Sequence, residues 1–247
     1  MAPTHRADDW NTYKMDCNHP HRQLEPLEQE VVVVAAALLS LQKAGVLAHT
    51  AYDQEKMLAH RRAVAELFEI PWTAITPRLQ RLMYAINTIA QPQTMIAAGV
   101  FCGNTFISNA GAAVGPGASY AAQQLIGLEI KPEEAERAER NVRRLDPTGV
   151  ARVLAEDAVP FVADFPGQRD LLYLDADGDR GRGKGIYLEI LEAGLDRLPP
   201  GSLVLAHNSV NCAERLQEYL AFVRAPSRFA ASVNVIVDPE GLEVTVR

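Results

Sequence analysis

The chain is poor in cysteine, with three in 247 residues and no Cys-x-x-Cys pair. That argues against a disulfide framework or a structural zinc site, and it fits a reducing, cytoplasmic setting. No basic cluster interrupts a net charge of −7. Sequence-independent nucleic-acid binding needs a positive face, so that class falls away. No apolar run reaches bilayer length: Val31–Leu41 is too short and is closely followed by Lys43. Met1–Arg22 is polar, carries His5, His19 and His21, and lacks the apolar centre of a signal peptide. Aromatic residues make up only 6% of the chain, so each large ring near a glycine turn counts.

What is present suits one globular α/β chain with a small extension, since 48% of residues are hydrophobic and 22% charged. The organising stretch is Met95–Thr105, which reads Met-Ile-Ala-Ala-Gly-Val-Phe-Cys-Gly-Asn-Thr. A short apolar run, two glycines and a further apolar run predict a buried strand, a tight turn and the start of a helix. Gly99 and Gly103 leave room for a ligand against bare backbone. The spacing is neither the G-x-G-x-x-G of dinucleotide binders nor the Gly-Lys-Ser/Thr of a phosphate loop.

The chain divides into a polar arm, 1–27, a helical segment, 28–90, and a strand–helix alternation, 91–247. Trp10 and Tyr13 are the arm's only large anchors, and the arm is expected to be irregular. Glu28–Ala48 predicts a helix that is apolar almost all round, buried on the core or on a second subunit; a homodimer is the expectation. A second helix covers Tyr52–Phe68. Thr76-Pro77 is the N-cap and first residue of a third, ending near Ile89. Strands are predicted at Met95–Gly99, Gln124–Ile130, Ala151–Leu154, Asp170–Asp175 and Ser202–Ala206. Helices are predicted at Thr105–Ala113, Pro132–Leu145, Ile186–Leu198 and near Ala213–Val223. Ala230–Val237 and Leu242–Val246 close the chain as an antiparallel hairpin around Asp238-Pro239-Glu240-Gly241. The fold class is a doubly wound, mainly parallel α/β sheet.

In such sheets ligands sit at the carboxyl ends of the strands, where strand order reverses. The polar residues converge there: Gly99–Asn104, Glu129, Glu156-Asp157, Asp175 and His207-Asn208. A carboxylate at Glu129 is placed to accept from both hydroxyls of a ribose. Glu156-Asp157 is placed to reach the edge of a base.

The series Gly99-Val100-Phe101-Cys102-Gly103, Leu128-Glu129-Ile130-Lys131-Pro132, Leu172-Tyr173-Leu174-Asp175-Ala176-Asp177 and Leu205-Ala206-His207-Asn208 resembles the class I S-adenosylmethionine-dependent methyltransferases. Within them it is most similar to the catechol O-methyltransferase-like small-molecule branch. Tyr219–Arg224, Phe229 and Asp238…Gly241-Leu242 are similar to that branch too, and the likeness spans roughly residues 76–247. It implies a seven-stranded Rossmann-like sheet with S-adenosylmethionine over Gly99–Gly103. Ala98, Gly99, Val100, Phe101, Gly103, Asn104 and Thr105 would contact the cofactor, with Asn104 and Asn109 supplying neutral amides near its amino-acid end. Glu129 would hold the ribose and Glu156 and Asp157 would lie near the adenine, with Ile130 and Asp175 as further cofactor contacts.

Three departures bear on the chemistry. Magnesium-dependent members of that branch carry an Asp at the end of the fourth strand and an Asp-Asn pair at the end of the fifth. Here the pair is His207-Asn208. Imidazole suits magnesium poorly. The expectation is no metal, with Asp175, His207 and Asn208 as the set for a softer ion. The lysine of Asp-Ala-Asp-Lys-x-x-Tyr is replaced by Gly178, and Lys184-Gly185-Ile186-Tyr187 restores the pattern only after the insert Gly178–Gly183. Lys184 is then either back at the site or in solvent. The acid usual inside the first strand is Ala97.

Asp175, Asn208, Lys184 and a neutral His207 are the catalytic candidates, with Tyr173 and Phe101 offering aromatic faces to a sulfonium. Trp72, Arg78 and Tyr84 are candidates for a substrate wall. Three functions stand open: methyl transfer to a small molecule, cyclisation of the cofactor's own aminobutyryl chain to azetidine-2-carboxylate with release of methylthioadenosine, and a non-catalytic cofactor-binding subunit. No nucleic-acid or membrane partner is expected.

Overall fold

Alternating apolar strands and amphipathic helices from Thr94 onward supply seven strands of a single eight-stranded sheet. The computed structural model describes residues 3–179 and 181–247. Met1 and Ala2 of the arm and Arg180 of the Gly178–Gly183 insert lie outside the described residues. The strands are β1 (Thr4–Arg6), β2 (Thr94–Ala98), β3 (Gln124–Glu129), β4 (Ala151–Ala155), β5 (Leu171–Leu174), β6 (Leu203–His207), β7 (Ala231–Ile236) and β8 (Leu242–Val246). Their order is β1-β7-β8-β6-β5-β2-β3-β4. The pairs β2–β3, β3–β4, β2–β5 and β5–β6 are parallel, whereas β8 runs antiparallel to both β6 and β7. The chain winds outward from β2 through β3 to β4, then resumes on the other side of β2 with β5. The order therefore reverses between β2 and β5.

Side chains alternate across the sheet as the two-residue strand period requires. Met95 and Ala97 of β2 face one core, with α1 (Leu27–Lys43), α3 (Pro77–Ala90), α4 (Asn104–Ala110) and α5 (Pro132–Leu145). Ile96 and Ala98 face the other, with α6 (Ala158–Asp164), α7 (Ile186–Gly194) and α8 (Gln217–Val223). The remaining helix, α2 (Gln54–Leu67), packs beside α5. The Thr76 hydroxyl accepts from the Leu79 amide at 3.2 Å and Pro77 opens α3, as expected of that cap.

Two elements depart from the sequence reading. The sheet has eight strands, not seven, because Thr4–Arg6 of the arm pairs in parallel with β7. A second addition, α6, follows Asp157, whose carboxylate accepts from the Val159 amide at 2.9 Å. Pro160 sits in its first turn, where a missing N–H costs nothing. The first helix is also shorter than expected, ending at Lys43 ahead of Gly45, which has φ +76°. Its inner face is buried, but Val32 (62% exposed) and Leu39 (44%) leave an apolar strip uncovered. Among the described residues no helix is long and apolar enough to cross a membrane.

The arm is fixed by one buried cation. Arg78 donates to Glu25 at 2.6 Å from Nε and Nη2, to Asp9 at 2.9 and 2.8 Å, and to the Val237 carbonyl at 3.1 Å. That uses all of its N–H groups. The Tyr13 ring lies 5.0 Å from the guanidinium carbon. The arm's Cys17 carbonyl accepts from the Thr73 amide at 2.9 Å. So the arm is held against the segment that leads into α3.

Candidate functional site

The carboxyl ends of β2, β3, β4, β5 and β6 open into one cavity of about 690 Å³. It sits where the strand order reverses, as open α/β sheets dictate. Its floor is the turn after β2, where Gly99 (φ +79°), Phe101 (φ +49°) and Gly103 (φ +90°) are all left-handed. Gly99 is required on two counts. A Cβ there would lie 2.4 Å from Ala176 Cα, and the backbone conformation itself disfavours a side chain. Phe101 carries that strain as an aromatic residue. Its ring packs on Trp72 with 4.9 Å between centroids.

Glu129, at the end of β3, reaches back over this turn. One carboxylate oxygen accepts from the Phe101 amide at 2.8 Å and the other from the Lys131 amide at 3.1 Å. Each oxygen keeps a further lone pair for a ligand. Across the cavity, Glu156 is exposed, while Asp157 spends one oxygen on capping α6. Ile130, 63% exposed, forms part of the rim.

Asp175, after β5, is the electrostatic centre. Lys184 Nζ donates to its backbone oxygen at 2.8 Å and to Oδ1 at 2.9 Å. His207 Nδ1 lies 3.2 Å from Oδ2, and the Tyr173 hydroxyl lies 3.5 Å from the same atom. Burial raises the Asp175 pKa, but His207 and Lys184 outweigh it and hold the carboxyl at about 2. Burial likewise disfavours charge on His207 and Lys184, yet Asp175 raises both above their ordinary values. Asp175 thus shifts His207 toward the imidazolium form, against the effect of burial. Lys184 returns to the site because Gly178 and Gly183 pair across the insert, with N–O distances of 2.9 and 3.1 Å. The chain leaves and re-enters at one place.

Of the sequence-derived residues, Gly99, Val100, Phe101, Asn104, Thr105, Glu129, Ile130, Glu156, Asp157, Asp175, Lys184, His207, Asn208 and Trp72 share the cavity. Ala98, Gly103 and Tyr173 stand behind its wall. Two substrate-wall expectations are corrected. Arg78 is buried in the arm clamp, and Tyr84 is buried with its hydroxyl donating to the Gly117 carbonyl at 2.6 Å. Both point into packing because α3 is buried nearly all round. The sequence reading missed Thr73. Its hydroxyl accepts from Asn104 Nδ2 at 3.0 Å, so it ties the wall beside Trp72 to the glycine turn. Asn208 is left-handed (φ +63°) and donates to Asn211 at 3.1 Å.

Comparison with known proteins bears on the fold that carries this cavity. Residues 96–209 match a family model described as a methyltransferase domain. No curated protein sequence matches the chain. Among solved structures, an S-adenosylhomocysteine-bound O-methyltransferase from Bacillus cereus is 16% identical, with a TM-score of 0.57 over 79% of this chain and 92% of that one. An S-adenosylhomocysteine-bound methyltransferase from Podospora anserina is 15% identical, with a TM-score of 0.59 over 92% and 99%. An O-methyltransferase of tomaymycin synthesis from Streptomyces achromogenes, solved with S-adenosylmethionine, is 18% identical, with a TM-score of 0.54 over 79% and 90%. The architecture is that of the class I S-adenosylmethionine-dependent methyltransferases, Rossmann-like with a closing antiparallel hairpin.

Proposed function

We propose that the chain is an S-adenosylmethionine-dependent methyltransferase that acts on a small molecule without a magnesium ion. The observation that carries this reading is Glu129, a carboxylate from the neighbouring strand held over a left-handed glycine turn inside a cavity of ligand size. An acid in that place suits the two hydroxyls of a ribose. Bound there, the cofactor supplies a methyl group already activated on a sulfonium. The chain's own residues then have three tasks. Gly99–Thr105 and Glu129 orient the nucleoside, with Glu156 at its base. Trp72 and Phe101 cover the mouth with apolar rings, exclude water and present aromatic faces to positive charge. Asp175, Lys184, His207 and Asn208 position the acceptor.

One observation favours a second reading, in which the cofactor's own amine attacks its chain. Lys184 and His207 are both engaged by Asp175, at 2.9 and 3.2 Å, so each already has a partner other than a second molecule. The co-product separates the readings. Incubated with S-adenosylmethionine and a panel of small hydroxylated acceptors, the protein is expected to yield S-adenosylhomocysteine only when an acceptor is present. Methylthioadenosine formed from the cofactor alone supports cyclisation. Tight binding with neither product supports a non-catalytic subunit.

A further inference from the structure

The divalent-ion site that the resemblance implies does not fit the residues present. Magnesium requires near-octahedral oxygen ligation at about 2.0–2.1 Å. Here Lys184 Nζ sits among three oxygens: Asp175 O at 2.8 Å, Asp175 Oδ1 at 2.9 Å and Asp177 Oδ2 at 3.3 Å. The first two are hydrogen-bond spacings for an ammonium, which has three N–H donors to offer. The other Asp175 oxygen, Oδ2, faces His207. A divalent ion on this carboxylate would have to displace the Lys184 ammonium and share the remaining oxygen with the His207 ring. Lys184 is nearly buried, and the Gly178–Gly183 pairing holds the chain around it, so displacement is opposed by packing as well as charge. Among the described residues no group of three or more His, Cys, Asp and Glu side chains is arranged to hold a metal.

We propose that Lys184 is a built-in replacement for that ion: its ammonium takes the cation's place on the oxygens that follow β5 and fixes the Asp175 carboxylate toward the cavity. Lys184 is then a positioning residue that acts through Asp175, not a proton acceptor. The inference rests on the functional reading above only for what Asp175 faces. Its test requires no turnover, so the two can fail separately.

The test is a titration of the full chain with Mn²⁺, following the free ion by electron paramagnetic resonance. The wild-type protein is expected to leave Mn²⁺ free. Lys184→Ala combined with His207→Asp removes the built-in cation and restores an Asp-Asn pair. It is expected to gain a single saturable site, at least about tenfold tighter than any wild-type binding. Lys184→Gln, close in size, gives a second arm should the double variant fail to fold, and it too is expected to bind Mn²⁺ more tightly than wild type. Saturable wild-type binding that matches the variants overturns the proposal, as does a folded variant that gains no Mn²⁺ affinity.

Discussion

Gly99→Ala is expected to abolish cofactor-analogue binding and to cost the fold about 3 kcal/mol, the sum of left-handed backbone strain and overpacking. The added Cβ would meet Ala176 Cα at 2.4 Å, Ala176 N at 2.5 Å and the Asp175 carbonyl carbon at 2.7 Å. All three are backbone atoms, so no rotamer change relieves the contact. Either the turn moves away from the chain after β5, or β2 and β5 separate. Both displace Asp175 from the glycine turn. The Gly99 amide also donates to the Leu128 carbonyl at 2.9 Å, so the strain passes to the end of β3 next to Glu129. Urea unfolding and calorimetry with S-adenosylhomocysteine check this. A variant within about 1 kcal/mol of wild type that still binds would show that the close approach is not structural, since such strain normally costs more than that.

Arg78→Met carries the other large effect. It leaves the buried Glu25 carboxylate facing an apolar side chain and strips Asp9 of both its Arg78 contacts. Breaking one side of a buried ion pair costs about 3–5 kcal/mol, and partial exposure of Asp9 places this case near the lower figure. The loss should fall first on the arm. Residues 7–25 are expected to become sensitive to limited proteolysis while the sheet stays intact. Because the Thr73 amide bonds to the Cys17 carbonyl, the wall beside Trp72 should loosen as well. Arg78→Lys keeps the charge but cannot fill the planar fork, and an intermediate loss is expected. Unchanged protease resistance in Arg78→Met would show that the strand pairing and the Thr73–Cys17 bond hold the arm without the buried cation.

The sequence revealed the site more readily than what surrounds it. The turn Gly99–Gly103, the acid at Glu129 and the strand-end residues Asp175, His207 and Asn208 were legible because strand period and glycine spacing are local signals. The strand Thr4–Arg6 was not, since three polar residues carry no period and their pairing with β7 is a tertiary event. No helix was expected between Asp157 and Asp170, where α6 is only seven residues long and has Pro160 in its first turn. Arg78 and Tyr84 were misplaced for a different reason. Polar and aromatic residues on a helix suggest an open face, and nothing local announces that Asp9, Glu25 and the Gly117 carbonyl will arrive to satisfy them. Lys184 lay between: its Lys-x-x-Tyr pattern was visible, but the Gly178–Gly183 pairing that returns it to Asp175 was not.

The account stands on a nucleoside held at its sugar by Glu129. Calorimetry of S-adenosylhomocysteine with wild type and Glu129→Ala tests this most directly. Loss of two hydrogen bonds to a charged acceptor, at about 1.5 kcal/mol each or more, predicts binding weakened about 100-fold. Equal affinity in the two proteins, or no binding by wild type, would contradict it.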